Sequence, residues 1–246
     1  MLIIDSHTHL GKSNLSSIDI SEADLLGTMN QWDVDTALVI PHAAPDEPFS
    51  AHENVRQLVL KHPDKFFGVS AYNPLLLGND YPGETKKCVE QFGFKGVKFH
   101  PLLFTLSPAM PKAQAVFSTA ADLGVPVIVH TGTGVPWTLP SLCIPVARKY
   151  PDLKIVLAHS GMMVFAEEAL IAAQECENIY LDVSWTAGFQ IKHFVAELGP
   201  ERIMFSSDLP DNLGVELTKL NAIGLEQEAL EWVLGRTANT LFGLGL

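Results

Sequence analysis

The chain has 246 residues, 47% hydrophobic and 18% charged, which is apolar enough for one large core and too apolar for a disordered chain. Its formal net charge of −12 argues against nucleic acid or an anionic membrane as a partner, since both attract Lys and Arg and repel carboxylates. No segment reaches the apolar length of a membrane span and the start is too short for a signal peptide. Cys88, Cys143 and Cys176 show neither disulfide nor thiolate-zinc spacing, so a reducing, cytoplasmic setting is expected.

Eight short runs rich in Val, Ile, Leu and Phe alternate with longer segments of helical period, the pattern of repeated βα units. In chain order they lie at 2–6, 36–40, 66–71, 96–100, 127–130, 155–159, 180–183 and 203–206. A closing amphipathic helical segment is expected over 225–246, with Leu230, Val233, Leu234, Ala238, Leu241 and Phe242 on its apolar side. Eight units with no linker or repeat predict one (β/α)₈ TIM barrel, an α/β domain spanning 1–246. Turns entering the strands are brief and marked by Gly, Pro or Asp, whereas those leaving them are longer (11–20, 41–50, 72–82, 101–111 and 131–140). That asymmetry places function at the C-terminal ends of the strands.

The first strand carries Asp5-Ser6-His7-Thr8-His9, and a period of two puts both histidines on one face, able to converge on one ion. Lys98 and His100 end the fourth run, His130 the fifth and His159 the sixth, and Asp208 follows the eighth. Five of the nine histidines thus stand at strand ends, where each needs a partner if it is buried. Neutral imidazoles with one carboxylate suit Zn²⁺, with Mn²⁺ or Fe²⁺ as alternatives, and an open coordination position leaves room for an activated water.

At these residues the chain resembles the amidohydrolase superfamily, in particular its amidohydrolase-related branch of TIM-barrel hydrolases and decarboxylases. The motifs that carry the likeness are Asp5-Ser6-His7-Thr8-His9, Lys95-Gly96-Val97-Lys98-Phe99-His100-Pro101, Val129-His130, Ala158-His159-Ser160-Gly161 and Phe205-Ser206-Ser207-Asp208. The resemblance implies His7, His9, His130 and Asp208 as ligands of one divalent metal, Asp208 also as proton shuttle, and His159 as the group that polarises substrate or water. Lys98 is open between a substrate-binding cation, an ion-pair partner and a carboxylated bridge to a second metal. His100 and Trp185 are placed near the substrate, and Trp137 and His42 are further candidates for the pocket wall.

Hydrolysis of a small amide, ester or lactone by a metal-activated water is the leading expectation, and non-oxidative decarboxylation of a small aromatic acid is the alternative. Decarboxylation needs a cation for the carboxylate, for which Lys98, Lys12 and Lys112 are the candidates. A barrel that holds metal only as a structural staple is a third reading, disfavoured by the open face. The expected partner is a small-molecule substrate, with a homodimer the base-rate expectation for self-association. Gly132 and Gly134 lack the third glycine of a dinucleotide loop and read as room for backbone beside the site. Ser160 and Ser207 lack a nucleophile elbow, and His52, His62 and His193 read as surface residues.

Overall fold

The computed structural model describes residues 1–13, 17–42 and 47–246, so parts of the expected loops 11–20 and 41–50 lie outside the described residues. The chain opens with β1 (Ile4–Lys12), which forms an antiparallel hairpin with β2 (Asp19–Ile20) before α1 (Glu22–Gln31). Ser21 starts α1 through a capping box, accepting from the Asp24 N–H at 3.2 Å while its own N–H donates to the Asp24 carboxylate at 2.8 Å. There follow β3 (Thr36–Pro41), α2 (Pro48–Lys61), β4 (Phe66–Gly68), α3 (Pro74–Leu77), α4 (Tyr81–Glu90), β5 (Val97–Phe99), α5 (Pro101–Phe104) and α6 (Gln114–Leu123). The second half runs β6 (Val127–His130), α7 (Ile144–Lys149), β7 (Ile155–Ala158), α8 (Ala166–Glu175), β8 (Ile179–Asp182), α9 (Gly188–Leu198), β9 (Ile203–Met204) and α10 (Leu213–Ala222). The expected closing helix is two pieces, α11 (Gln227–Glu231) and α12 (Thr237–Phe242), joined through a π-helical turn at Trp232–Arg236.

Two parallel runs, β1-β3-β4 and β5-β6-β7-β8-β9, join at both edges. Between β4 and β5, Ser70 bridges Val97, accepting from Lys98 N–H at 2.6 Å and donating to Gly96 at 3.0 Å. Between β9 and β1, Ser6 N–H donates to Phe205 at 3.2 Å and Asp208 N–H to His7 at 2.8 Å. The eight parallel strands therefore close into the expected (β/α)₈ barrel. The first apolar run ends at 6 and the strand is expected to carry through His9; β1 continues to Lys12, and the third and eighth runs shorten to three and two residues.

The alternation of the strands sorts the core into two layers. Ala37, Val39, Val97, Phe99, Val127, Val129, Ile155, Leu157, Ile179 and Leu181 face outward against the helices. Ile4, Leu38, Ile40, Ile128, Val156, Ala158 and Met204 face inward, with Phe242 and Leu244 from the C-terminal segment packed beneath them. By the same alternation Lys98, His130 and Asp182 point inward, above this apolar floor.

In β1 the alternation alone would fail, because Ile4 faces inward and His7 and His9 are odd-numbered. The register supplies the reason: Asp5 pairs with Ala37 but Thr8 with Val39, so β1 spends one extra residue and its parity flips. The bulge is what turns both histidines into the barrel.

Candidate active site

His7 is the hub. Its Nδ1 lies 2.8 Å from Asp182 Oδ2, which accepts the ring proton and leaves Nε2 as the atom with a lone pair. Around that lone pair gather His9 Nε2 at 3.2 Å, Asp208 Oδ1 at 3.4 Å and Lys98 Nζ at 2.9 Å, while Asp208 Oδ1 is also 3.4 Å from His9 Nε2. Three donor atoms bonded to one ion at about 2.05 Å with tetrahedral angles stand about 3.3 Å apart, so the His7, His9 and Asp208 atoms already have the spacing a divalent metal requires. His9 Nδ1 is a buried nitrogen without a hydrogen-bond partner among the described residues.

Burial, reinforced by the charge of Lys98, lowers His7 to a pKa of about 3, so the ring is neutral as a metal ligand must be. Burial works against the Asp182 carboxylate, but the hydrogen bond from His7 outweighs it, aided by Ser206, and Asp182 stays below the usual carboxylate range. Ser206 Oγ and the N–H and Oγ–H of Ser184 all donate to Asp182 Oδ1. Asp208 is likewise opposed by burial, yet the neighbouring imidazoles, His159 first, hold it well below its ordinary value. Burial lowers Lys98 to about 8, which leaves it mostly protonated at neutral pH.

His130 and His159 form the adjoining side. His159 Nδ1 sits 2.8 Å from Ser184 Oγ, and its Nε2 lies 3.1 Å from His130 Nδ1, whose Nε2 donates to Thr133 O at 3.0 Å. With Nε2 committed to Thr133, His130 has Nδ1 as its free lone pair; because Ser184 gives its own proton to Asp182, His159 donates through Nδ1–H and turns a second lone pair, Nε2, toward it, both set apart from the tight His7–His9–Asp208 group. His100 stacks on His130 with centroids 4.0 Å apart and planes 13° apart. Both are held well below the usual histidine range, first by burial. His159 (φ 65°) and Asp208 (φ 67°) lie in the left-handed region, a strained backbone that recurs at functional sites and turns each side chain off its strand's alternation.

The other expectations divide. His42 reaches the rim, 5.2 Å from His9 between ring centroids. Trp185 is 40% exposed at the mouth, and its Nε1–H donates to Asp208 Oδ2 at 2.8 Å, so it is bonded to the site rather than merely lining it. Trp137 is half-buried in the loop after β6, and Lys12 and Lys112 are exposed, leaving Lys98 as the buried cation among these three. Gly132 makes the room expected of it: a Cβ there would stand 2.8 Å from Met162 and 3.0 Å from the Gly161 backbone. His193 is exposed and His62 is half-buried against Glu22 at 2.8 Å. His52 corrects the surface reading. It is fully buried, receiving the Ala71 N–H at Nε2 (2.9 Å), donating to Pro48 O (2.6 Å) and stacking on Tyr72 at 3.6 Å.

Reading the sequence missed Asp182 and Asp5. Asp182 carried a usable signal, a carboxylate one alternation above Tyr180 at the end of its run. Asp5 lay inside a motif dominated by its histidines; its buried carboxyl accepts from Ser207 N–H at 2.8 Å and Ser207 Oγ–H at 2.5 Å, binding β1 to the end of β9. Burial raises Asp5 to about 7.

A family profile described as amidohydrolase matches residues 4–244. No curated protein matches the chain. Among solved structures it resembles 2,6-dihydroxybenzoate decarboxylase from Rhizobium, with TM-score 0.75, 18% identity, and 100% of this chain and 99% of that one covered. It also resembles 5-carboxyvanillate decarboxylase from Sphingomonas paucimobilis (TM-score 0.79, 15% identity, 98% and 99% covered). A third is the dihydroxybenzoic acid decarboxylase from Polaromonas sp. JS666 with bound manganese and the inhibitor 2-nitroresorcinol (TM-score 0.77, 16% identity, 100% and 98% covered). At these identities the likeness establishes a shared fold along nearly the whole of each chain.

Proposed function

The chain belongs to the amidohydrolase family, and from that premise we propose that it is a metal-dependent, non-oxidative decarboxylase of a small hydroxylated aromatic acid. Reading the sequence put hydrolysis first; the three solved structures above are decarboxylases and weigh toward the alternative. The observation that carries the proposal is Lys98. It is 3% exposed and, among the described residues, has no carboxylate within ion-pair distance, its side-chain partner being the neutral His7 nitrogen. Asp208 and Asp182 favour its charge from beyond ion-pair distance but are engaged by the histidines, so the buried ammonium has no direct anionic partner; a substrate carboxylate supplies one, whereas a neutral amide, ester or lactone does not.

The donors fit a divalent cation, with His7, His9 and Asp208 as its nearest holders and His130 as a fourth through Nδ1. Manganese, bound in one of the similar structures, stands beside zinc as the metal to try first. Such a cation supplies positive charge for the oxygens of a bound acid. The His7 lone pair can serve a cation or Lys98 but not both, so with a cation held by His7 the Lys98 ammonium would be left for the substrate carboxylate. His100 and Trp185 offer flat faces to an aromatic ring. The carbon–carboxylate bond breaks with its electron pair returning to the ring, carbon dioxide leaves, and Asp208 delivers to the same carbon a proton drawn from solvent. His159, whose Nδ1–H is held by Ser184, presents its Nε2 lone pair to accept from a ring hydroxyl of the substrate. The buried free thiols Cys88, Cys143 and Cys176 agree with a reducing, cytoplasmic setting.

The test is release of carbon dioxide from 2,6-dihydroxybenzoate and 5-carboxyvanillate by Mn²⁺- or Zn²⁺-loaded protein, beside a panel of activated esters and lactones. Saturable release that is lost in Asp208→Asn supports the proposal. Ester or lactone turnover with no decarboxylation replaces it by the hydrolytic reading, which the same ligand set with an open position also serves.

A further inference from the structure

Asp208 has two oxygens, and the structure treats them differently. Oδ1 faces His7 and His9, while Oδ2 receives the Trp185 indole N–H at 2.8 Å. Trp185 stands in the left-handed region (φ 59°), which a bulky L-residue leaves unless something holds it there. What holds it is Glu216 on α10: its Oε1 receives the Trp185 backbone N–H at 3.0 Å and the Asn212 amide at 3.2 Å, and Lys219 pairs with Oε2. The Asn212 amide also donates to Ser207 O at 2.9 Å, on the residue just before Asp208. One carboxylate, 2% exposed, therefore grips both the residue that bonds Asp208 Oδ2 and the amide that holds the chain leading into Asp208.

A buried carboxylate is a costly way to pack a helix against a barrel, and an apolar residue would do that more easily. We infer that Glu216, which lies outside the ligand set, is a positioning residue that acts through Trp185 to present Asp208 to the metal by one oxygen only. Holding Oδ2 on the indole leaves Oδ1 as the sole donor of Asp208. The inference rests on the reading of Asp208 as a metal ligand.

The experiment is calorimetric titration of chelator-treated full-length protein with Mn²⁺, together with quenching of tryptophan emission by the same ion, for the unaltered chain, Trp185→Phe, Glu216→Ala, Glu216→Gln and the Trp185→Phe/Glu216→Ala pair. Trp185→Phe keeps the ring but loses the N–H and is expected to weaken Mn²⁺ binding roughly 10- to 100-fold, the usual effect of losing a group that orients a ligand. Glu216→Ala should weaken it similarly, add little in the Trp185→Phe background, and be rescued by Glu216→Gln, whose amide oxygen still accepts from Trp185 and Asn212. Losses from Glu216→Ala and Trp185→Phe that multiply in the pair overturn the inference, because Glu216 then acts by another route. Unchanged affinity in Trp185→Phe overturns it even if Glu216→Ala fails to fold. Failure of the unaltered chain to bind Mn²⁺ removes the metal reading itself, so the two failures are distinguishable.

Discussion

His52 allows a prediction to be worked through in numbers. The ring sits between α2 and the segment after β4, and both nitrogens are committed: Nδ1–H to Pro48 O and Nε2 as acceptor from Ala71 N–H. A second ring proton would abolish the acceptor and place a charge in an apolar setting, so burial lowers the pKa to about 4 from 6.5. Between those values unfolding takes up a proton. Stability is intact above pH 6.5, falls as pH drops through the window, and levels off below about 4. A gap of that size corresponds to about 3 kcal/mol lost between pH 7 and 4, about 2 of it by pH 5. His52→Gln can keep the Ala71 bond through its amide oxygen, gives up the stack on Tyr72 at a cost of about 1 kcal/mol at pH 7, and cannot titrate. Urea unfolding of both proteins at pH 7, 6, 5 and 4 should show the native advantage shrinking by about 3 kcal/mol and reversing on the acid side, since other groups cancel in the difference. Parallel stability curves across this range would refute the claim that the fold holds His52 neutral.

Asp182→Asn removes the charge that makes the His7 ring basic and, with a single oxygen, cannot accept both from His7 and from the Ser184 and Ser206 donors, so calorimetry should show metal affinity lowered roughly 10- to 100-fold, and unchanged affinity would contradict its role. Lys98→Met should leave metal content unchanged while raising KM for an aromatic acid tenfold or more in a CO₂-release assay; a drop in metal content would instead mark Lys98 as a bridging ligand. Gly235→Ala would drive a methyl to 2.4 Å from Leu2 O, a backbone atom that cannot swing aside, and should cost about 1–3 kcal/mol in urea unfolding without altering metal binding.

The barrel was legible because its signal is local. Each inward-facing strand residue alternates with an outward-facing one, and eight such runs between helical segments leave few other closures. The strand-end histidines and Asp208 were legible as residues standing where the apolar runs stop, but not the bulge and left-handed turns that aim them. What escaped was set by register and by partners distant in sequence. The β1 bulge that turns His7 and His9 inward depends on how 4–12 pairs with 36–41, which one strand's sequence does not display. Asp182 acts from 175 residues away, and Glu216 shares the buried face of α10 with Leu213, Leu217 and Leu220, where its charge alone does not name the partners it finds. His52 was misjudged because charged neighbours in sequence suggested an exposed face, while α2 presents Val55, Leu58 and His52 together to the core. The strain at His159, Trp185 and Asp208 likewise belongs to the assembled rim.

The central claim is that His7, His9, His130 and Asp208 hold one divalent cation at the strand ends, and metal content tests it most directly. Elemental mass spectrometry on protein purified without added metal, and again after loading with Mn²⁺ or Zn²⁺ and desalting, should find about one equivalent per chain, lost in the His7→Ala/His9→Ala variant while circular dichroism stays unchanged. A chain that retains no metal after loading, or a double variant that retains as much as the original, would contradict it.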